Sequence, residues 1–161
     1  MKNIITALFA AAFVLPAVAE EKGFTSLFDG KTLKGWDGKK EFWSVQDGAI
    51  QGKTTKEIPT KGNTFIIWKG GTVADFELKF EYRFLTKSGN SGCQYRSEDM
   101  GNNVVKGYQG DFEAGTRFSG INYGEKTGRG ILADRGTKTT LGDGKAKKNV
   151  DRFGDSAELQ K

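Results

Sequence analysis

The 161-residue sequence contains no histidine. A Ser-His-Asp triad, an imidazole general base and any His-ligated zinc or iron site are therefore excluded. Cysteine occurs once, at Cys93, so there can be no internal disulfide and no multi-thiolate metal or redox motif. Proline is almost as scarce, with two residues. Long apolar runs are missing too: beyond residue 20 nothing approaches the roughly 20 residues that a membrane-spanning helix needs. The formal charge of +5 is spread along the chain and by its total marks no surface for a polyanion. What the sequence has in excess is glycine, 23 residues, roughly twice the usual share. Glycine supplies the positive φ of tight turns, and with twelve phenylalanines and little proline it points to short strands joined by hairpins, an all-β chain.

The first 19 residues read as an address. Lys2 gives a positive start, residues 4–15 an apolar run too short to span a bilayer, and Ala17-Val18-Ala19 the small residues of a cleavage site, followed by Glu20, Glu21 and Lys22. This predicts a signal peptide at residues 1–19, no membrane or lipid anchor, and a periplasmic or secreted protein whose single domain occupies residues 20–161. With one cysteine, that domain has to survive an oxidising compartment without a staple.

Phe76, Leu78, Phe80, Tyr82 and Phe84 alternate with Glu77, Lys79, Glu81 and Arg83, the period of a strand with one buried and one wet face. A helix would throw Leu78 to the far side from Phe76 and Phe80. Residues 42–45 and 49–51 flank Gln46-Asp47-Gly48, a hairpin signal. Further short strands are expected at residues 64–68, 93–96, 107–113, 121–123 and 131–133, each bounded by glycines. With no sustained 3.6-residue period between them, antiparallel sheets in a β-sandwich or jelly roll are favoured over a parallel sheet. Residues 138–155, rich in lysine and glycine and poor in large apolar groups, read as a mobile surface loop. No aromatics are interleaved there to stack on bases, so no nucleic-acid partner is expected.

Alternation also locates the chemistry. It puts Cys93 and Tyr95 on one face of their strand and Gln94, Arg96 and Glu98 on the other; Tyr108, Gly110 and Phe112 oppose Gln109, Asp111 and Glu113 in the same way. With the apolar sets turned to the core, the remaining face carries amides, a guanidinium and carboxylates, the groups that bind sugar hydroxyls. Asp111 and Glu113, about 6.5 to 7 Å apart along one strand, would raise one another's proton affinity, which suits a general acid or base. The same residues could equally serve only to solvate an open sheet. Cys93 reads as a small strand residue, since no histidine exists to activate it. Trp36, Trp43 and Trp68 could form a sugar platform, but core filling is the commoner use.

Several motifs in order resemble the 3-keto-disaccharide hydrolase family: Gly23 to Lys31 with Leu33 and Gly35-Trp36, the hairpin of residues 43–52, Asp75-Phe76-Glu77-Leu78, the Gly89-Asn90-Ser91-Gly92 turn followed by Arg96, and Gly107-Tyr108-Gln109. The resemblance implies a concanavalin-A-like β-sandwich acting on glycosides already oxidised at C3 by a separate oxidoreductase, by C2 proton abstraction, elimination at C1 and hydration. On that reading Asp111 or Glu113 is the base, Arg96 meets the enolate oxygen, and Asn90, Gln94, Gln109 and Glu98 bind substrate. The resemblance fixes no cofactor: a divalent cation held by Asp111, Glu113 and a further carboxylate would polarise the ketone as well as Arg96 would, and the sequence does not choose between them. Family members normally continue past Ser156-Ala157-Glu158 with further strands, which implies a C-terminally truncated sandwich. The alternatives are a non-catalytic carbohydrate-binding module of the same fold and, third, an inverting glycosidase using Asp111 and Glu113. The sequence does not set the oligomeric state.

Overall fold

The computed structural model describes residues 21–143 and 147–160, and the expected leader at residues 1–19 lies outside them. The described chain is all-β: every strand pairing is antiparallel, and no α-helix occurs among the described residues, which end in one short 3-10 turn at Glu158–Gln160. None of them forms a helix long and apolar enough to cross a membrane.

Strand β1 (Trp36–Asp37) pairs with β4 (Ile67–Trp68), and β2 (Trp43–Gln46) with β3 (Ala49–Gly52). Between β2 and β3, Asp47 at φ 50° and Gly48 at φ 75° are both left-handed, the backbone of the tight hairpin turn that Asp-Gly predicts. The centre is a four-stranded sheet in the order β5 (Asn90–Asp99), β6 (Val105–Glu113), β7 (Asn122–Glu125), β8 (Gly130–Ala133), an up-and-down run of neighbours. Strands β9 (Thr137–Leu141) and β10 (Lys147–Arg152) form a further hairpin.

That hairpin corrects the surface loop expected over residues 138–155. Thr137, Thr139 and Thr140 are β-branched and favour the extended backbone without supplying a core, so the lack of large apolar groups was not a lack of strand propensity. The strand expected at residues 64–68 shortens to Ile67–Trp68. Residues 76–84, expected as a strand with one buried and one wet face, are not a strand: they make no backbone hydrogen bond to any described residue, and Phe76, Leu78, Phe80 and Tyr82 are exposed on the face expected to be buried. Their alternation is nevertheless used: Phe80, Tyr82 and Phe84 all lie against Phe112 of β6, with Tyr82 stacked on it at 4.2 Å between ring centres. The segment therefore lies as a second layer over one face of the central sheet, consistent with a β-sandwich.

Among the described residues the buried apolar side chains are Phe42, Val105, Ile121 and Leu132. The tryptophans are half-buried and used for packing. The Trp43 ring covers its register partner Gly52, where a Cβ would come within 2.8 Å of it, and Trp36 donates its indole N–H to the Leu27 carbonyl at 2.8 Å.

Candidate active site

Register decides which side chains share the open face of the central sheet, because directly opposed residues of an antiparallel pair point the same way. Asn90, Gly92 and Gln94 of β5 oppose Glu113, Asp111 and Gln109 of β6; on β7, Tyr123 opposes Gln109 and Glu125 opposes Gly107. The other face holds Cys93, Tyr95, Tyr108 and Phe112, with the Tyr95 and Tyr108 rings 5.9 Å apart and Phe112 under the aromatic segment. The two faces expected from alternation are thus present over residues 90–95 and 107–113.

Beyond Tyr95 the alternation breaks. A bulge shifts the register between Tyr95 and Glu98, with Arg96 left-handed at φ 47°. Ser97, rather than Arg96, comes back to the polar face, where its hydroxyl donates to Gln94 Oε1 at 2.8 Å. Gly107 makes room for the bulge, since a Cβ there would sit 2.6 Å from the Ser97 Cα. Arg96 instead turns to Asp75, at 3.2 Å, with more than half its side chain in solvent. Glu98 is exposed and pairs in register with Lys106. Arg96 and Glu98, expected beside Gln94, are therefore displaced from it by one inserted residue.

On the polar face a directed relay forms. Ser97 donates to Gln94, the Gln94 amide N–H donates to Gln109 Oε1 at 2.6 Å, and the Gln109 amide N–H donates to Asp111 Oδ1. Gln109 is buried, at 7% exposure, and each amide's orientation is set by its hydrogen-bond partners. Asp111 Oδ2 has no donor among the described residues. The carboxyl is half-buried and lines a cleft of about 300 Å³ with Asn63, Asn90, Gln109, Phe118, Ile121, Tyr123 and Ile131, at the small end of ligand pockets. Its proton affinity is raised above the ordinary aspartate value, first by burial; the Gln109 hydrogen bond opposes this, and the charges of Glu113 and Glu125 add to it.

Glu113, the other carboxylate expected as a base, has a different occupation. Its Oε1 accepts the backbone N–H groups of Arg117 and Phe118, the latter at 2.6 Å, and so closes the turn after β6. Ser119 Oγ accepts the Glu113 backbone N–H at 3.0 Å and completes the closure. Glu113 is not among the residues lining the cleft. Cys93 lies on the opposite face with its thiol pushed up by burial, away from nucleophilic behaviour.

Glu125, Asn63 and Tyr123 were missed by the sequence reading. Glu125 is 6% exposed and accepts from the Asn63 side-chain amide at 2.8 Å, 62 residues away along the chain. Alternation within β7 could have flagged Tyr123 and Glu125 as one face; nothing local could have brought Asn63 to them. Among the described residues no three carboxylate or thiolate groups converge as metal ligands.

The sequence profile of a 3-keto-alpha-glucoside-1,2-lyase-like domain matches residues 23–154. A 3-keto-disaccharide hydrolase of Bacteroides thetaiotaomicron is 30% identical over an alignment of 107 residues that covers 57% of this chain and 35% of that protein. The chain thus spans about a third of the length of the curated relative it matches. No solved structure matches significantly.

Proposed function

The chain belongs to the 3-keto-alpha-glucoside-1,2-lyase-like family, and from that premise we propose that the cleft at Asp111 receives the sugar ring of a 3-keto glycoside and cleaves it, for net hydrolysis, with Asp111 as the base. The observation carrying this reading is the state of that carboxyl: one oxygen held by the Gln94–Gln109 relay, the other free at the cleft, and a raised proton affinity. A C3 ketone acidifies the C2–H bond, so a carboxylate suffices where no histidine exists.

Asp111 Oδ2 takes the C2 proton and the electron pair moves into the C3 carbonyl as an enolate. The Asn90 amide and the Tyr123 hydroxyl, both lining the cleft, serve as donors to that oxygen. Collapse of the enolate restores the ketone, forms the C1–C2 double bond and expels the C1 oxygen, which takes its proton from the Asp111 carboxylic acid. A raised proton affinity keeps that proton available until the leaving group needs it. Water then adds at C1 and a proton returns to C2, giving the free 3-keto sugar. Gln94 and Gln109 hold the base in place; Arg96 and Glu98, being outside the cleft, take no part in these steps. The leader pattern of residues 1–19 supports a periplasmic or secreted setting for this activity.

The test is a proton NMR time course in D₂O with a 3-keto-glucoside and, as control, the unoxidised glucoside. Loss of the C2 proton signal together with aglycone release, from the keto sugar alone, supports the reading. A folded protein that binds either sugar and leaves both intact overturns it in favour of a carbohydrate-binding module.

A further inference from the structure

Ser97 reaches the polar face only because the strand bulges before it: the register shifts between Tyr95 and Glu98, Arg96 turns left-handed, and the Ser97 hydroxyl comes to lie against Gln94. Among the described residues it is the one donor to Gln94 Oε1. The hydroxyl has a second acceptor within reach, the Tyr95 carbonyl at 3.0 Å against 2.8 Å for Gln94 Oε1, and a single proton to give. An amide side chain donates from one side and accepts on the other, so two glutamines between Ser97 and Asp111 have just two self-consistent directions. In the direction observed every donor points toward Asp111, and Gln109 presents an N–H to Asp111 Oδ1. In the other, both amides are turned over, Ser97 accepts from Gln94 and donates to Tyr95, and Gln109 presents its carbonyl to Oδ1. A carbonyl repels a carboxylate, and that contact becomes a hydrogen bond only when a proton sits on Oδ1.

We infer that Ser97 is a positioning residue for the base: through Gln94 and Gln109 its hydroxyl sets the direction of the relay, and the direction decides which oxygen of Asp111 takes the proton. The inference rests on the reading of Asp111 as the base. With the donors pointing toward Asp111, Oδ1 is engaged and Oδ2 is left for the C2 proton, from where it passes to the C1 oxygen. With the relay reversed, a proton is held on Oδ1, inside the relay, and is lost to the chemistry. Glu113 on the same strand and Glu125 on β7 both favour the protonated carboxyl, and the Gln109 N–H is the group that opposes them. Ser97 is exposed and does not line the cleft, so its influence on the carboxyl runs through the two amides.

Four variants of the full chain test it. Ser97→Thr keeps the hydroxyl; Ser97→Ala leaves the end of the relay to water, which donates and accepts alike; Ser97→Asp supplies an acceptor that cannot donate and so favours the reversed direction. Lys106→Gln, at an exposed position in register with Glu98, makes the same one-unit change of charge as Ser97→Asp without touching the relay. Two readouts need no turnover: carbon-13 NMR titration of the Asp111 carboxyl, and the scalar coupling across the hydrogen bond from Gln109 Nε2 to Asp111 Cγ. Ser97→Thr should match the natural chain. Asp111 should titrate higher in Ser97→Ala and higher still in Ser97→Asp, where the coupling disappears, while Lys106→Gln stays close to the natural chain. In Ser97→Asp kcat should fall roughly ten-fold with KM little changed, as loss of base alignment implies. A titration unmoved in Ser97→Ala and Ser97→Asp, or moved as far by Lys106→Gln as by Ser97→Asp, overturns the inference. So does an unchanged kcat in Ser97→Asp when Asp111→Asn is impaired. Failure of the base reading itself shows differently: Asp111→Asn then turns over normally while the Asp111 titration still follows residue 97.

Discussion

Gln109 and Asp111, two residues apart on β6, are joined side chain to side chain: the buried Gln109 amide donates to Asp111 Oδ1 while its own carbonyl accepts from Gln94. The pair separates two duties, since Gln109 fixes the carboxyl and the carboxyl keeps one oxygen for substrate. Asp111→Asn removes the base but preserves size and an acceptor for Gln109. Its turnover of a 3-keto-glucoside should fall by about 10² to 10⁴, with binding retained, as loss of general-base catalysis implies. Aglycone release measured beside substrate binding by calorimetry checks this; near-normal turnover in the folded variant removes Asp111 from the mechanism.

The same variant should be more stable than the natural chain at neutral pH. Burial, with Glu113 and Glu125 adding to it, raises the proton affinity of Asp111 in the folded state. At a pH below its ordinary value both folded and unfolded chains are protonated there, and the group has no effect. As pH rises from the ordinary value to the raised one, the unfolded chain ionises first, so folding stability declines across that window and stays lower above it. Asp111→Asn abolishes the decline, so its melting temperature exceeds that of the natural chain at pH 7 and the two converge in acid. Kinetically, the acid limb of kcat/KM follows the raised Asp111 pKa. Glu125→Gln, which keeps an acceptor for Asn63, moves that limb to lower pH.

Periodicity made much of this molecule legible. The Asp47-Gly48 hairpin, the antiparallel class and the two faces of β5 and β6 all follow from alternation and turn residues. Two things escaped for physical reasons. A bulge carries no signature in single-residue patterning, so Arg96 and Glu98 were placed beside Gln94 when Ser97 takes that position. Contacts between distant segments carry none either, so the pairing of Asn63 with Glu125 was invisible until the fold joined them. The alternation of residues 76–84 predicted one buried and one wet face, yet Phe76, Leu78, Phe80 and Tyr82 stay about half exposed, because alternation does not reveal whether a partner covers the apolar side.

Glu113 and Asp111 should separate cleanly by experiment. Glu113 closes the turn of residues 113–119 by accepting two backbone N–H groups, bonds strengthened by its charge. Glu113→Ala leaves those donors to water and should cost about 1 to 2 kcal/mol of folding free energy, the usual range for losing a capping acceptor. Turnover, measured below the lowered melting temperature, should drop far less than for Asp111→Asn. Urea unfolding and aglycone release on the same preparations give both numbers; a turnover loss matching that of Asp111→Asn would return Glu113 to the chemistry.

Gly92 lies opposite Asp111 across the β5–β6 ladder, and the Gln109 side chain leans over it. A Cβ at that position would meet Gln109 Cγ at 2.5 Å and its Cδ at 2.6 Å. Gln109 is buried and tied to both Gln94 and Asp111, so it cannot swing aside without breaking the relay. Gly92→Ala should therefore cost about 1 to 3 kcal/mol, the range for overpacking a filled site, and also free the Asp111 carboxyl from its fixed orientation. We expect turnover to fall ten- to a hundred-fold, mostly in kcat, because a misaligned base loses transition-state geometry more than ground-state binding. Gly110 provides the control on the neighbouring strand: a Cβ there meets nothing within 4 Å and its φ is not left-handed, so Gly110→Ala should leave melting within about 0.5 kcal/mol and turnover unaltered. If Gly92→Ala instead matches Gly110→Ala in both measurements, the Gln109 relay is not what holds the base.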